Sequence, residues 1–193
     1  MVQIATNKAL NIKAPQYDRD KFEGAVEFAL TQTRNHDGFY PLIRKRFLDA
    51  GVILVVLPNL PGSRTNGATK KVGKSVMVMV NDRRLYADSF WFTLMHEAGH
   101  VIRGDYGVTF ECEYGVEESS ADEFARNRLI EPTMYEAFVR EENGQFTVTD
   151  ITAFAERIDR DPGIVLGRLE NDGYVPRANG MGSLKRRYQV SVA

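Results

Sequence analysis

The chain has 193 residues, the size of one domain or of one domain with a small appendage. Hydrophobic residues make up 43% and charged residues 26%, which excludes a disordered, collagen-like or disulfide-stapled chain. The net charge of −1 hides an asymmetry: residues 1–87 carry +7, residues 88–176 carry −12 and residues 177–193 carry +4. A chain built mainly to coat nucleic acid is excluded by that balance. The longest apolar runs, Val52–Leu57 and Val76–Val80, fall far short of the ~20 residues a bilayer needs, so no membrane contact is expected. The first ten residues lack the apolar core of a signal peptide, and Cys112 stands alone; both point to the reducing cytoplasm.

In chain order, residues 1–17 read as a loose leader or linker that ends at Ala14 and Pro15. Asp20 and Glu23 then have capping-box spacing, and Phe22, Ala25, Val26 and Ala29 follow at helical period. A second amphipathic stretch runs from Tyr40 to Leu48 and stops at Gly51, a residue suited to the position after a helix C-cap. Gly51–Leu57 predicts a buried strand, a polar loop with Pro61, Gly62 and Gly67 follows, and Ser75–Val80 predicts a second strand.

Everything after Tyr86 reads as helical. Asp88 or Ser89 caps a helix to about Arg103, and a second helix covers roughly Glu117–Ile130. Thr133 and Glu136 have capping-box spacing for a third, and Thr149 or Asp150 starts a fourth through Ile158. Asp161 and Pro162 form an N-cap and N1 pair for a short helix that closes before Gly173. The expected fold is α+β: a small sheet with helices, an HExxH helix of zincin type, a Glu-bearing second helix and a helical C-terminal part. The expected organisation is a leader (1–17), a metallopeptidase-like domain (18–176, with a helical subregion 149–176) and a basic tail (177–193).

The strongest chemical signal is His96-Glu97-Ala98-Gly99-His100. Positions i and i+4 share one helix face, so both imidazoles can reach one metal ion, and Glu97 between them is placed as a general base. Only three histidines occur in the chain, and two fall in this motif. A catalytic zinc takes three protein ligands and keeps one position open. Cys112, His36 and several carboxylates are candidates for the third ligand; Glu118 is the best placed, because it shares a helix face with Asp122 at i, i+4. Asp122 is then expected to accept a hydrogen bond from the far nitrogen of a ligating histidine. Arg103, Tyr106 and Tyr114 lie close to the motif in sequence and are candidates for oxyanion or substrate contacts.

Together, FWFTLMHEAGHVIRGD and the later EESSADEFARNRLIEP resemble the ImmA/IrrE family of zinc metallopeptidases. The similarity extends upstream through Ala50–Ile53 and Leu60–Ala68, and downstream through Asp150–Ala155, Pro162–Leu169, Asp172, Gly173 and Leu184–Arg186. It implies a cytosolic Zn2+-dependent endopeptidase of regulatory type, with His96, His100 and Glu118 on the metal and Glu97 as base. It also implies a protein substrate such as a DNA-binding transcriptional repressor, in stress response or a toxin–antitoxin system. Long members of the family carry an N-terminal helix-turn-helix of Xre type. None precedes residue 18, so the chain is expected to be a stand-alone peptidase acting on a separate regulator, or the catalytic part of a longer protein.

Two other readings follow from the same residues. The intact motif also fits a non-catalytic metal-binding sensor, or an antitoxin-like regulator of a DNA-binding partner. Residues 151–158 and 162–171 have the cadence of a helix-turn-helix. The second of these helices offers only Arg168 against Glu170 and Asp172, so direct nucleic-acid binding is not expected and packing on the core is. Substrate peptide is expected to run along the sheet edge near Ser75–Val80.

Overall fold

The structure is a computed structural model that describes residues 1–110, 116–178 and 180–190, the side chains of residues 109, 110 and 116–118 excepted. The fold is α+β, as the sequence predicts. Eight α-helices surround one four-stranded sheet among the described residues.

At the start of the chain the structure departs from expectation. Residues 1–17 are not simply a leader, because Val2–Leu10 forms helix α1. Its small residues Ala5 and Ala9 are fully buried against Ile53, Val55, Met77 and Met79. Small side chains let this short helix lie close on the sheet. The weak amphipathicity that results hides it from a periodicity reading.

Helix α2 (Arg19–Leu30) is capped by Asp18, whose side chain accepts the N–H of Lys21, and not by Asp20. Helix α3 (Phe39–Asp49) ends as expected, with Gly51 at φ +77° handing the chain to strand β1 (Val52–Leu57). The expected polar loop is largely strand β2 (Thr65–Val72), followed by β3 (Ser75–Asn81). The strand order is β1-β3-β2-β4, where β4 is Val108–Phe110. Strand β1 runs parallel to β3, whereas β2 is antiparallel to both β3 and β4.

Strand β3 is therefore interior, paired on both sides, and cannot be the edge that receives a peptide. Its alternation explains why every residue is buried. Val76, Val78 and Val80 face the main core, while Met77 and Met79 face α1. The strands at the ends of the order are β1 and β4.

Helix α4 (Ala87–Arg103) starts after Tyr86 and closes at Gly104, whose φ of +80° supplies the left-handed cap. Helix α5 (Val116–Leu129) packs on α4 where Gly99 lets Phe124 approach; a Cβ at Gly99 would sit 3.1 Å from the Phe124 ring. Helix α6 (Pro132–Glu141) is capped by Glu131 with proline at N1, one residue pair earlier than the Thr133 and Glu136 spacing predicts. Helix α7 (Val148–Arg157) opens with a capping box of Thr147 and Asp150. Helix α8 (Pro162–Asn171) starts from Asp161, as predicted.

Helices α7 and α8 belong to the core. Ile164, Val165, Leu166 and Leu169 are buried, and Gly167 meets α4 so closely that a Cβ would fall 2.6 Å from Asp88 Oδ2. Arg168 is held by Asp172 at 2.5 Å and lies over the Tyr135 ring. The one cation of α8 is thus engaged within the molecule and its apolar side is buried.

The tail docks back on the body. Lys185 Nζ lies 2.6 Å from Glu170 Oε2 and 3.1 Å from Asp88 Oδ2. Tyr188 N–H donates to Leu85 O, Val190 N–H donates to Asp82 Oδ2, and the Tyr188 ring stacks on Phe39. No helix among the described residues is long and apolar enough to cross a membrane.

Candidate metal centre

Helix α4 is apolar enough to be buried along most of its length, and burial is what orders the motif it carries. His96 and His100 are each 4% exposed and Glu97 is fully buried. As the i, i+4 spacing requires, the two imidazoles converge: His96 Nε2 and His100 Nε2 are 3.0 Å apart.

The opposite ring nitrogens face carboxylates. His96 Nδ1 is 2.9 Å from Asp122 Oδ1 on α5, as expected from the sequence. His100 Nδ1 is 3.3 Å from Asp105 Oδ1, just beyond the end of α4. An ionised carboxylate only accepts, so Asp122 favours the His96 tautomer with its proton on Nδ1 and a lone pair on Nε2, while Asp105 stands at ion-pair distance from His100 Nδ1.

A tetrahedral zinc with bonds of about 2.0–2.1 Å sets its nitrogen ligands about 3.3 Å apart, close to the observed separation. The residues present therefore fit a zinc ion through two imidazoles, oriented by two carboxylates. Among the described residues, no group of three or more His, Cys, Asp or Glu side chains is gathered for a metal. Glu118 lies on the backbone of α5 one turn before Asp122, but its side chain is outside the described part. Cys112 and Tyr114 lie outside the described residues altogether.

Glu97 leans against the sheet. A Cβ built at Gly67 on β2 would lie 2.6 Å from Glu97 Cδ, so only glycine fits beneath the carboxylate. A bulge in the β2–β4 register falls at the neighbouring residue: Thr65 pairs with Phe110 and Gly67 with Thr109, which leaves Asn66 as the extra residue. Asn66 lines a recess of about 680 Å³ that also includes Ser89 and Thr93 of α4. The Asn-Gly pair reads as a turn in sequence, and this concealed both the strand and its approach to Glu97. Asp105 also escapes sequence reading, since its pairing with His100 needs the turn at Gly104 to be known.

Other candidates are placed elsewhere. His36 is not a third ligand: Nε2 is 3.1 Å from Asp161 Oδ2, Nδ1 is 2.9 Å from the Tyr188 hydroxyl, and the residue lies beside Phe90 near the start of α4. Arg103 Nε pairs with Asp105 Oδ2 at 3.1 Å, so it braces the carboxylate that faces His100. Tyr106 has the Lys71 ammonium over its ring, and burial, with the nearby Asp105 charge, pushes its hydroxyl above the usual range. A neutral phenol of that kind remains a donor throughout the neutral range.

The fold and site define a class: an α+β domain with an HExxH helix laid across a mixed sheet. No model of a known protein family matches the chain, and no curated protein does either.

Proposed function

We propose that this chain is a zinc-dependent endopeptidase of the ImmA/IrrE kind, cleaving a peptide bond in a cytosolic regulator such as a transcriptional repressor. The observation that carries the proposal is the convergence of His96 and His100 through Nε2, with each Nδ1 turned to a carboxylate. The buried Glu97 beside them supplies the base that a merely structural metal site does not need.

His96, His100 and, as third ligand, Glu118 would hold zinc, which when bound supplies Lewis-acid polarisation of a peptide carbonyl and acidification of a water. Asp122 favours the His96 tautomer that offers Nε2, and the Asp105 carboxylate faces His100 Nδ1. Glu97 takes the proton of the attacking water and passes it to the leaving amine. Proton transfer by a positioned group contributes about 10²–10⁴ in rate. Gly67 allows Glu97 to sit against the strand rather than being pushed out along the helix.

Substrate enters as an extended segment. Among the described residues β4 pairs only with β2, and a segment added along its other edge would lie beside the strand on which Glu97 rests. This replaces the edge near Ser75–Val80 expected from sequence. The experiment is cleavage of a co-encoded or fused regulator by the zinc-loaded protein and by Glu97→Gln. The variant is expected to keep zinc and lose cleavage. Full proteolysis by Glu97→Gln removes the assigned base, and zinc without cleavage by the unaltered chain makes it a metal-binding module.

A further inference from the structure

We propose that the arginine-lined recess at the start of α4 binds an acidic segment of the substrate peptide, four or more residues from the bond that is cut. The proposal deepens the peptidase reading and rests on it.

The recess of about 680 Å³ lies between the start of α4, the turn Asp82–Tyr86, the residues around His36 and the docked tail. Four arginines line it: Arg83 and Arg84 from the turn, Arg186 and Arg187 from the tail. Against them stand Asp37 and Asp82, and Asp82 is engaged by the N–H groups of Asn59 and Val190. The lining residues thus carry more positive than negative charge, partly offset at Arg186 by the buried Asp161 carboxylate behind His36, in a molecule whose total is −1. Guanidinium groups match carboxylates in a planar, two-point geometry.

The recess reaches to within one helical turn of the candidate centre. Ser89 and Thr93 line it, and Glu97 follows at the same four-residue interval on one face of α4. On the sheet side Asn66 lines it, next to the Gly67 on which Glu97 rests. At 1.5 Å per helical residue, Thr93 is about 6 Å and Ser89 about 12 Å along the axis from Glu97. An extended peptide advances about 3.3 Å per residue, so Ser89 is about four residues away, and the arginines, set at or before the helix start at Ala87, lie farther along the same line. Phe39, Phe90 and Tyr188 supply an apolar wall for the intervening side chains.

The turn is held in shape for this. Leu85 is a non-glycine residue at φ +57°, kept there while its carbonyl accepts from Tyr188 N–H. Strain of that kind persists where surrounding structure enforces it, here the pairing of Tyr86 with Arg187 and of Leu85 with Tyr188 that joins the turn to the tail. A nucleic acid strand fits less well, because Asp37 and Asp82 stand among the arginines in a concave site with aromatic walls.

The test measures fluorescence anisotropy of the full chain carrying Glu97→Gln, so that bound peptide is not consumed. The probes are a labelled peptide of alternating Ala and Glu, its Gln counterpart, and a single-stranded oligonucleotide of matching charge. The Glu peptide is expected to bind about tenfold more tightly than the Gln peptide, with the difference shrinking as salt rises. Arg84→Gln and Arg187→Gln are each expected to weaken it by about two- to fivefold, and Lys45→Gln outside the recess to leave it unchanged. Equal binding of the two peptides overturns the proposal. So does indifference to both arginine substitutions, or tighter binding of the oligonucleotide through the same arginines. The peptidase reading is measured separately by zinc content and by cleavage with Glu97 intact. Peptide discrimination without zinc and cleavage supports the recess and removes the peptidase; zinc and cleavage without discrimination do the reverse.

Discussion

Gly67 of β2 and Glu97 of α4 meet so closely that a Cβ on the strand would lie 2.6 Å from the Glu97 Cδ and 2.7 Å from its Cγ. Gly67→Ala must therefore displace the carboxylate, the strand, or both. Overpacking of this kind costs about 1–3 kcal/mol, measurable as a lowered unfolding midpoint. Because His96 and His100 are untouched, zinc stoichiometry is expected to be retained while cleavage falls by about 10²-fold or more, part of the general-base contribution.

Asp122→Ala removes the acceptor 2.9 Å from His96 Nδ1. With Nδ1 no longer held as the donor, the histidine can rotate or change tautomer. Zinc affinity is expected to fall by about 10–100-fold, read by competition with a chromophoric chelator. The fold should survive, since the Asp122 side chain is 41% exposed. Asp105→Ala is expected to act in the same direction through His100, and it also releases Arg103 from its ion pair.

Lys185 ties the tail to two helices through Glu170 and Asp88. Burial works against its charge, but the hydrogen bond to Glu170 and the Asp88 carboxylate outweigh it and raise its pKa. Lys185→Met leaves two shielded carboxylates without the ammonium between them, at a cost of about 2–4 kcal/mol near neutral pH. A group whose folded pKa is raised stabilises fully below its unfolded pKa of about 10.4 and loses that contribution as pH rises through the folded value. The stability difference between Lys185→Met and the unaltered chain is thus expected to persist at pH 9 and shrink only in strong alkali.

Three carboxylates at helix starts are held below their ordinary range by hydrogen bonds. Asp18 accepts from the Lys21 N–H, Glu131 from the Thr133 hydroxyl and the Thr133 and Met134 N–H groups, and Asp150 from the Thr147 hydroxyl and N–H. A depressed carboxylate stabilises fully above its unfolded pKa of about 4 and loses that contribution as pH falls through the folded value. Thermal midpoints measured from pH 6 down to pH 2.5 are expected to fall mainly below pH 4. Asp18→Asn, Glu131→Gln and Asp150→Asn combined should make that fall shallower.

How much of the fold was legible followed the strength of each local signal. Helix α4 carried its apolar residues and its motif together, and β1 and β3 are unbroken apolar runs, so all three were readable. Strand β2 was not, because Asn66 and Gly67 look like a turn and Lys70 and Lys71 like a loop. Its pairing with β3 and β4 overrides those preferences. Helix α1 reads as a leader because its contact with the sheet depends on two alanines and not on a broad apolar face. Among site residues, the convergence of His96 and His100 and the bond from His96 to Asp122 follow from helical spacing. The contact of Gly67 with Glu97 joins residues 30 apart on separate elements, and no local pattern encodes it.

The charge asymmetry also divides more finely in the structure. Part of the basic tail is neutralised where Lys185 enters the acidic half, whereas Arg186 and Arg187 join Arg83 and Arg84 around the recess.

Titration of the metal-free chain with zinc tests the central claim most directly. Binding of a single zinc is expected for the unaltered protein and for Glu97→Gln, with weaker binding by Glu118→Ala, no change in Cys112→Ala, and loss when His96 and His100 are both replaced by Ala. No zinc binding by the unaltered chain, or equal binding after both histidines are removed, contradicts the account.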